Sequence, residues 1–332
     1  MKGFALALKV MLVLGFALTQ SYTPPAGAFA PVPLAEGAQA MCEGFTPGPD
    51  IRIAYMPPAT EFPYYMDIGR GIVAQAEALG VTTFMLAPQS GSDIAGQMGM
   101  IQDALIQGVD AIILSTHDEG AAAPLVRSAV EQGIVIIIVN SDIADFPTAV
   151  HGVVGYHQRG GTFAQGLYLI DLVDGTAKVG VLEGLPGYHS TERIGGFLDA
   201  FADQPGMEIV TSLPTAWNVE TGNTAMMDLL QARPEVNMVV TANDYIALGA
   251  AAAAAALGRT DVIIAGNDGD PAGLEAIAEG RITSTVNTQP IEMGKVALQV
   301  AVDCLGGVYP GGWTETPTVI VDQSNVGEYV GQ

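Results

Sequence analysis

Side chains able to do chemistry recur at one kind of place in this chain, just past the end of a short apolar run. Phe62, Pro63, Tyr64 and Tyr65 follow the first such run, and Asn140, Ser141 and Asp142 follow the fourth. Further on, Ser190, Thr191, Glu192 and Arg193 lead into Gly196 and Phe197. Trp217 with Asn218, Asn243 with Asp244, Asp268, and Asn287 with Thr288 each close a later run. Helix capping accounts for Ser, Asp and Asn at such places, because their side chains accept the unpaired amide hydrogens of a first turn. It does not account for Arg193, Trp217, Tyr64 and Tyr65. A guanidinium fork, neutral amides, a carboxylate and aromatic plates suit a neutral polyhydroxylated guest. Its hydroxyls exchange hydrogen bonds with the polar groups, and its ring C–H faces pack on the aromatics.

These residues do not compose a catalytic or metal-binding set. Asp268 and Asp270 look like a carboxylate pair, yet Asp270 followed by Pro271 is also an ordinary helix start. Gly69-x-Gly71-x-x-Ala74 has the outline of a dinucleotide fingerprint. It falls inside a helical stretch, not at the strand-to-helix turn where a pyrophosphate binds. The sequence holds no phosphate loop ending in Gly-Lys-Ser/Thr and no Gly-x-Ser-x-Gly elbow. His117, His151, His157 and His189 lack metal-ligand spacing and read as surface or strand-end residues. No catalytic residue, metal or cofactor is expected.

The elements that must position these groups alternate regularly. β-rich apolar runs at 51–56, 81–86, 111–114, 135–139, 150–154, 177–182, 208–212, 238–240, 262–265, 283–286 and 318–321 predict strands, about eleven in number. Helical spacing at 65–79, 93–106, 121–131, 161–172, 192–202 and 221–230 separates most of them, and Gly80, Gly108, Gly133 and Gly258 stand where helix C-caps belong. Residues 236–271 show the unit most clearly: a run ending at Asn243 and Asp244, an alanine helix, and a second run ending at Asn267 and Asp268. A strand–helix–strand unit of this length takes a right-handed crossover in a parallel sheet. Ligands then lie beyond the carboxyl ends of the strands. Eleven strands exceed one ordinary doubly wound sheet, and the pattern divides near Gly155, so two α/β halves are predicted.

Charge narrows the partners. The chain of 332 residues carries 12 Lys+Arg against 35 Asp+Glu, a net charge of −23. Nucleic acid and anionic membranes require clustered positive charge, so both are excluded as partners. Hydrophobic residues at 49% with 14% charged fit a folded protein with large buried sheets. The start has the make-up of an export leader: Lys2 and Lys9, an apolar core at 10–18, then small-residue cleavage sites at Ala26-Gly27-Ala28 and, later, Ala38-Gln39-Ala40. That core is too short to span a bilayer. Residues 1–28 are therefore expected to be removed, with cleavage as late as residue 40 the alternative. The two cysteines, Cys42 and Cys304, would allow one disulfide in an exported protein. Two free buried thiols, or Cys42 as a lipid-modified first residue, are the other options.

Four stretches carry a resemblance: TERIGGF (191–197), TANDYIALGA (241–250), AGNDGDPAGLEAIAEGRITSTV (265–286) and QPIEMGK (289–295). Their order and spacing resemble the periplasmic sugar-binding proteins of the ribose/galactose group, the type I solute receptors of ABC transporters. The similarity runs over about 51–321. It implies an α/β protein of two Rossmann-like, doubly wound parallel-sheet domains joined by a three-segment hinge, with crossings near Gly155, Thr288 and Thr318. The implied lobes are 48–155 plus 289–317 and 156–288 plus 318–330. Helix 290–305 would return to the first lobe and bring Cys304 towards Cys42, which favours the disulfide. By the same resemblance Arg193 donates to sugar oxygens, while Asn243 and Asp268 bind hydroxyls. Trp217 and Tyr65, with Tyr64 beside them, sandwich the ring, and Asn140, Asp142 and Thr288 complete the expected ligand set. Asn140 stands where many members have Asp, Phe62 where ribose binders have Asn, and Thr288 where they have Gln. Those departures leave a pentose, hexose, sugar alcohol or furanoid signal open. The implied protein is a monomeric periplasmic carrier that hands a neutral sugar or polyol to a membrane permease. The alternative is a periplasmic sensing subunit serving a membrane kinase or chemoreceptor. A related sugar-sensing repressor is excluded by the leader and the charge.

Overall fold

Runs such as Ala111–Leu114 and Val135–Val139 are buried at every position and pair in parallel, as strands covered by helices on both faces must be. The computed structural model describes residues 22–45 and 50–331, so the leader expected over 1–28 lies outside the described residues as far as position 21. The first sheet is built from β1 (Arg52–Met56), β2 (Thr82–Met85), β3 (Ala111–Leu114), β4 (Val135–Val139), β5 (Gly152–Gly155) and, from far along the chain, β11 (Trp313–Glu315). Their order is β2-β1-β3-β4-β5-β11, parallel throughout. The second sheet holds β6 (Ala177–Glu183), β7 (Met207–Pro214), β8 (Met238–Thr241), β9 (Ile263–Asp268), β10 (Ser284–Asn287) and β12 (Val319–Asp322). Its order is β7-β6-β8-β9-β10-β12, with β12 antiparallel to β10. Each sheet thus repeats the doubly wound order 2-1-3-4-5, whose ligand crevice opens at the carboxyl ends near the switch point. β11, with three residues and only Trp313 bulky, carries too little apolar pattern to be predicted.

The helices are α1 (Pro63–Leu79), α2 (Ile94–Gln107), α3 (Glu119–Glu131), α4 (Gln158–Leu172), α5 (Tyr188–Ala202), α6 (Val219–Ala232), α7 (Asp244–Ala256), α8 (Pro271–Ala278) and α9 (Pro290–Leu305). α9 follows the second sheet in sequence but packs on the first. Two glycines allow its close approach to α1: a Cβ at Gly71 would stand 1.9 Å from Ile291 O, and one at Gly294 would stand 2.0 Å from Ile68 O. Alanine at either position would force the helices apart. The chain therefore passes between the sheets three times, after β5, after β10 and after β11.

Residues ahead of β1 also belong to the first lobe. Val32 bridges Trp313, which covers the outer edge of β11. Leu34 and Ala38 are buried in that lobe's core, and Gln39 bridges Val150. Cys42 is bonded to Cys304 at the end of α9, with their Cα atoms 4.8 Å apart.

Candidate functional site

The carboxyl ends of the two sheets face each other across a cleft. The first lobe lines it with Phe62, Tyr64, Tyr65, His117 and Asn140, the second with His189, Arg193, Trp217, Asn243, Tyr245 and Asp268. Only about 30 Å³ is left at its centre for water to occupy, room for two or three molecules at about 10–15 Å³ each. The lobes are closed on one another.

Arg193 is the centre of the site. It sits one turn into α5, is buried, and donates from Nη1 to Asp268 Oδ1 at 2.9 Å and to Ala242 O at 3.2 Å. Its Nε donates to Gln158 Oε1 at 3.1 Å. Its Cζ lies 5.5 Å from the centre of the Trp217 ring and 5.8 Å from that of Tyr156, so the guanidinium is held between two aromatic faces. Burial opposes its charge, but Tyr156, Asp268, Tyr64 and Tyr65 more than offset that and hold its pKa above the ordinary value. Burial pushes the Asp268 carboxyl above the usual carboxylate range, against the pull of Arg193. The guanidinium, fixed in charge and 2.9 Å away, favours the ionised carboxylate against that burial.

The backbone here is strained. Asn140 (φ 61°), Trp217 (φ 63°) and Asp268 (φ 140°) are three of the five described non-glycine residues with positive φ. Such conformations cost about 1–3 kcal/mol each and collect at ligand clamps. Trp217 is placed by a missing side chain: a Cβ at Gly184 would fall 2.2 Å from its indole ring.

The two amides are already engaged. Asn243 Oδ1 accepts from Ile246 N at 2.9 Å as the N-cap of α7, and its Nδ2 donates to Trp217 O at 3.2 Å. Asn140 Oδ1 accepts from the Tyr64 hydroxyl at 2.9 Å, and its Nδ2 donates to Tyr65 Oη at 3.3 Å. Tyr64 Oη also lies 2.8 Å from Thr288 Oγ1, which in turn donates to Asp268 O at 3.0 Å.

Seven of the nine residues expected in the ligand set come together on the lining. The other two stand behind it. Thr288 backs Tyr64, and Asp142 accepts from Gln158 N and the Tyr188 hydroxyl, both at 3.0 Å, tying the end of β4 to α4 and α5. Three lining residues were not expected there, His117, His189 and Tyr245, while Phe62 fills the position that the resemblance gives to an amide in ribose binders. The reading of the histidines as surface or strand-end residues holds for His157, which is exposed and caps α4. It holds as a strand-end reading for His117, just past β3, and for His151, directly before β5, and is corrected for His189, which stands in the first turn of α5. His151 is buried, with Nδ1 accepting from Ile136 N at 2.9 Å, and His117 and His189 line the cleft. His117 follows β3 closely, so the strand-end rule that picked out Asn140 and Asn243 would have found it.

The remaining acids serve the frame. Asp244 accepts from Gly269 N, Asp270 N and the Thr285 hydroxyl, and burial pushes its carboxyl up to about 6. Burial, with Asp268 and Asp244 adding repulsion, pushes Asp270 well above the carboxylate range. Its Oδ2 has no partner among the described residues.

A family model described as a periplasmic binding protein domain matches residues 53–307. The chain is 30% identical over 245 residues to the ribose import binding protein RbsB of Bacillus subtilis (strain 168), covering 74% of this chain and 78% of that one. It is 30% identical over 240 residues to the D-ribose/D-allose-binding protein of Pseudomonas aeruginosa, covering 69% and 75%. Among solved structures, the Caulobacter myo-inositol binding protein bound to myo-inositol matches with a TM-score of 0.77 at 26% identity, over 86% of this chain and 98% of that one.

Proposed function

The chain belongs to the periplasmic binding protein family, and we propose that it captures a neutral monosaccharide or polyol between its lobes and delivers it to the permease of an ABC transporter. The observation that carries this reading is the buried Arg193–Asp268 pair, set between aromatic rings at the centre of the cleft. An ion pair that is neutral overall offers charge-assisted donors and acceptors to hydroxyls without asking the ligand for a charge. Tyr64, Tyr65 and Trp217 supply faces for its C–H surface, and Asn140 and Asn243 supply the remaining amide capacity. Asp142 and Thr288 hold the lining in place from behind. Relatives named for ribose and allose, and a structural neighbour holding myo-inositol, support a ligand of that size.

The mechanism is binding and closure. Lobes 48–155 plus 289–317 and 156–288 plus 318–330 move about the three crossings, and the ligand favours the closed state because only there does it touch both walls. The protein works as an exported monomer in the periplasm with its leader removed, and the Cys42–Cys304 bond supports an oxidising compartment.

A thermal-shift screen of D-ribose, D-allose, myo-inositol and related sugars and polyols tests the reading. A ligand at ~100 times its Kd adds ~2.7 kcal/mol. For lobes of this size that raises Tm by several degrees, at about 2–4 °C per kcal/mol. No shift with any neutral monosaccharide or polyol overturns the proposal.

A further inference from the structure

Two imidazoles line the mouth of the cleft, one from each lobe. His117 follows β3 and His189 stands in the first turn of α5, and both border the inner cavity and the outer vestibule beside Ser92, Asp118 and Tyr188. The lobes nearly touch there: a Cβ at Gly187 would lie 3.9 Å from His117 O.

The protein partners of each ring fix its tautomer. His117 Nδ1 lies 3.3 Å from Gly91 O. A carbonyl only accepts, so Nδ1 carries the proton and Nε2 is an acceptor. His189 Nδ1 faces the Gln158 amide, whose Oε1 accepts from Arg193 Nε at 3.1 Å. That bond fixes the orientation of the amide, and its nearer atom, Nε2 at 2.9 Å, donates to His189 Nδ1. His189 Nε2 therefore carries the proton and is a donor. Neither Nε2 has a hydrogen-bond partner among the described residues. One wall thus presents an acceptor and the other a donor, the two functions that a single hydroxyl satisfies at once.

We propose that His117 and His189 form a donor–acceptor clasp that takes one ligand hydroxyl and holds the lobes closed only while both imidazoles are neutral. The clasp rests on the reading of the cleft as a site for a polyhydroxylated ligand and adds to it a specificity element and a release condition. A proton on His117 Nε2 turns its acceptor into a donor. A proton on His189 Nδ1 confronts the Gln158 N–H and the Arg193 guanidinium.

The surroundings favour the neutral forms. Burial lowers the pKa of both rings and outweighs the Gly91 carbonyl and Glu61, which raise that of His117; Arg193 lowers both further, and His117 depresses His189. Phe62 and Tyr188 meet the two rings edge-on. Asp118 and Glu119 line the vestibule outside them, and Asp268 faces the pair through Arg193. Since each imidazole binds a proton more weakly when the cleft is closed, protons favour the open state. Affinity is then full where both rings are neutral in the open state and falls as pH drops through their open-state pKa values.

The experiment is calorimetric titration of the tightest binder among D-ribose, D-allose and myo-inositol, from about pH 8 to about pH 5. The chains compared are the wild type, His117→Gln, His189→Gln and the double variant. The wild type should lose at least about tenfold in affinity per histidine over that range. Each single variant should lose roughly half of the logarithmic slope, and the double variant should be flat. Full wild-type slope in the double variant overturns the clasp and points to Asp268 as the titrating group. If the wild type binds no member of this panel, the titration uses the binder found in the wider thermal-shift screen. Failure across all neutral monosaccharides and polyols overturns the function proposed above and the clasp with it, whereas binding with the full slope kept in the double variant overturns the clasp alone.

Discussion

The two walls of the cleft come from the same strand–helix units and differ in charge. The first lobe offers Phe62, Tyr64, Tyr65, His117 and Asn140, none of them ionised, whereas the second offers the Arg193–Asp268 ion pair together with Trp217, Asn243 and Tyr245. Outside the cleft the contrast reverses. The first lobe is bound by a disulfide and by the segment ahead of β1, while the described second lobe relies on buried polar bonding around Asp244. Two of the three strained cleft residues, Trp217 and Asp268, stand on the second wall. The difference teaches a division of labour. On the proposed function, the second wall would orient hydroxyls with charge-assisted bonds, and the first would cover them, exclude water and so strengthen those bonds.

The largest effect should come from removing the charge. Arg193→Ala leaves Asp268 buried without its partner, and breaking a buried pair in this way costs about 3–5 kcal/mol. Calorimetry should show binding weakened more than about tenfold, since a hydrogen bond to a charged group is worth about 1.5–3 kcal/mol. Pairing Arg193→Met with Asp268→Leu should recover much of the stability and none of the affinity. Undiminished affinity in Arg193→Ala would place orientation on the first wall instead of the second.

Next come the supports of the first lobe. The Cys42–Cys304 bond spans 262 residues, and its removal in Cys42→Ser/Cys304→Ser should cost about 2–4 kcal/mol. Urea unfolding should show that loss, while ligand affinity in native buffer stays within about twofold, because neither cysteine reaches the cleft. His151 adds a pH dependence. Burial lowers its pKa to about 4, and its Nδ1 accepts a backbone N–H, so the fold holds it neutral. The unfolded chain binds that proton more readily, so stability is lost as pH falls below about 6.5, by about 2 kcal/mol at about pH 5. His151→Gln should flatten that part of the stability curve, and a curve that kept its wild-type slope would remove His151 from the account.

The fold was legible because buried parallel strands leave continuous β-branched runs, and 135–139 and 262–265 have no other reading. β11 was not legible, because pairing with β5 and Val32 makes it a strand rather than any pattern of its own. The site divided along a similar line. Arg193, Trp217 and Tyr65 were visible because capping cannot explain them, and His117 was within reach of the same strand-end rule, whereas His189 stands inside the first turn of α5 with no pattern to place it. Tyr156 was missed for a different reason. It follows Gly155 at the first crossing, is wholly buried, and touches Arg193 and Asn267, which lie far along the chain. Asp142 and Thr288 fitted the strand-end rule, but what places them behind the lining is the packing of α4, α5 and Tyr64 around them.

The smallest effect is the most discriminating. Tyr64→Phe keeps an aromatic plate in the first wall and removes only the hydroxyl shared by Asn140 Oδ1 and Thr288 Oγ1. Because Thr288 bonds to Asp268 O, that hydroxyl joins the neutral wall to the charged one in the closed form. Its loss should cost about 0.5–1.5 kcal/mol, which is a few-fold in affinity with the order of ligand preference unchanged. A loss as large as that of Arg193→Ala would mean that the hydroxyl bonds directly to the ligand. The first wall would then share in orienting it, and the charge difference between the walls would no longer explain how the guest is read.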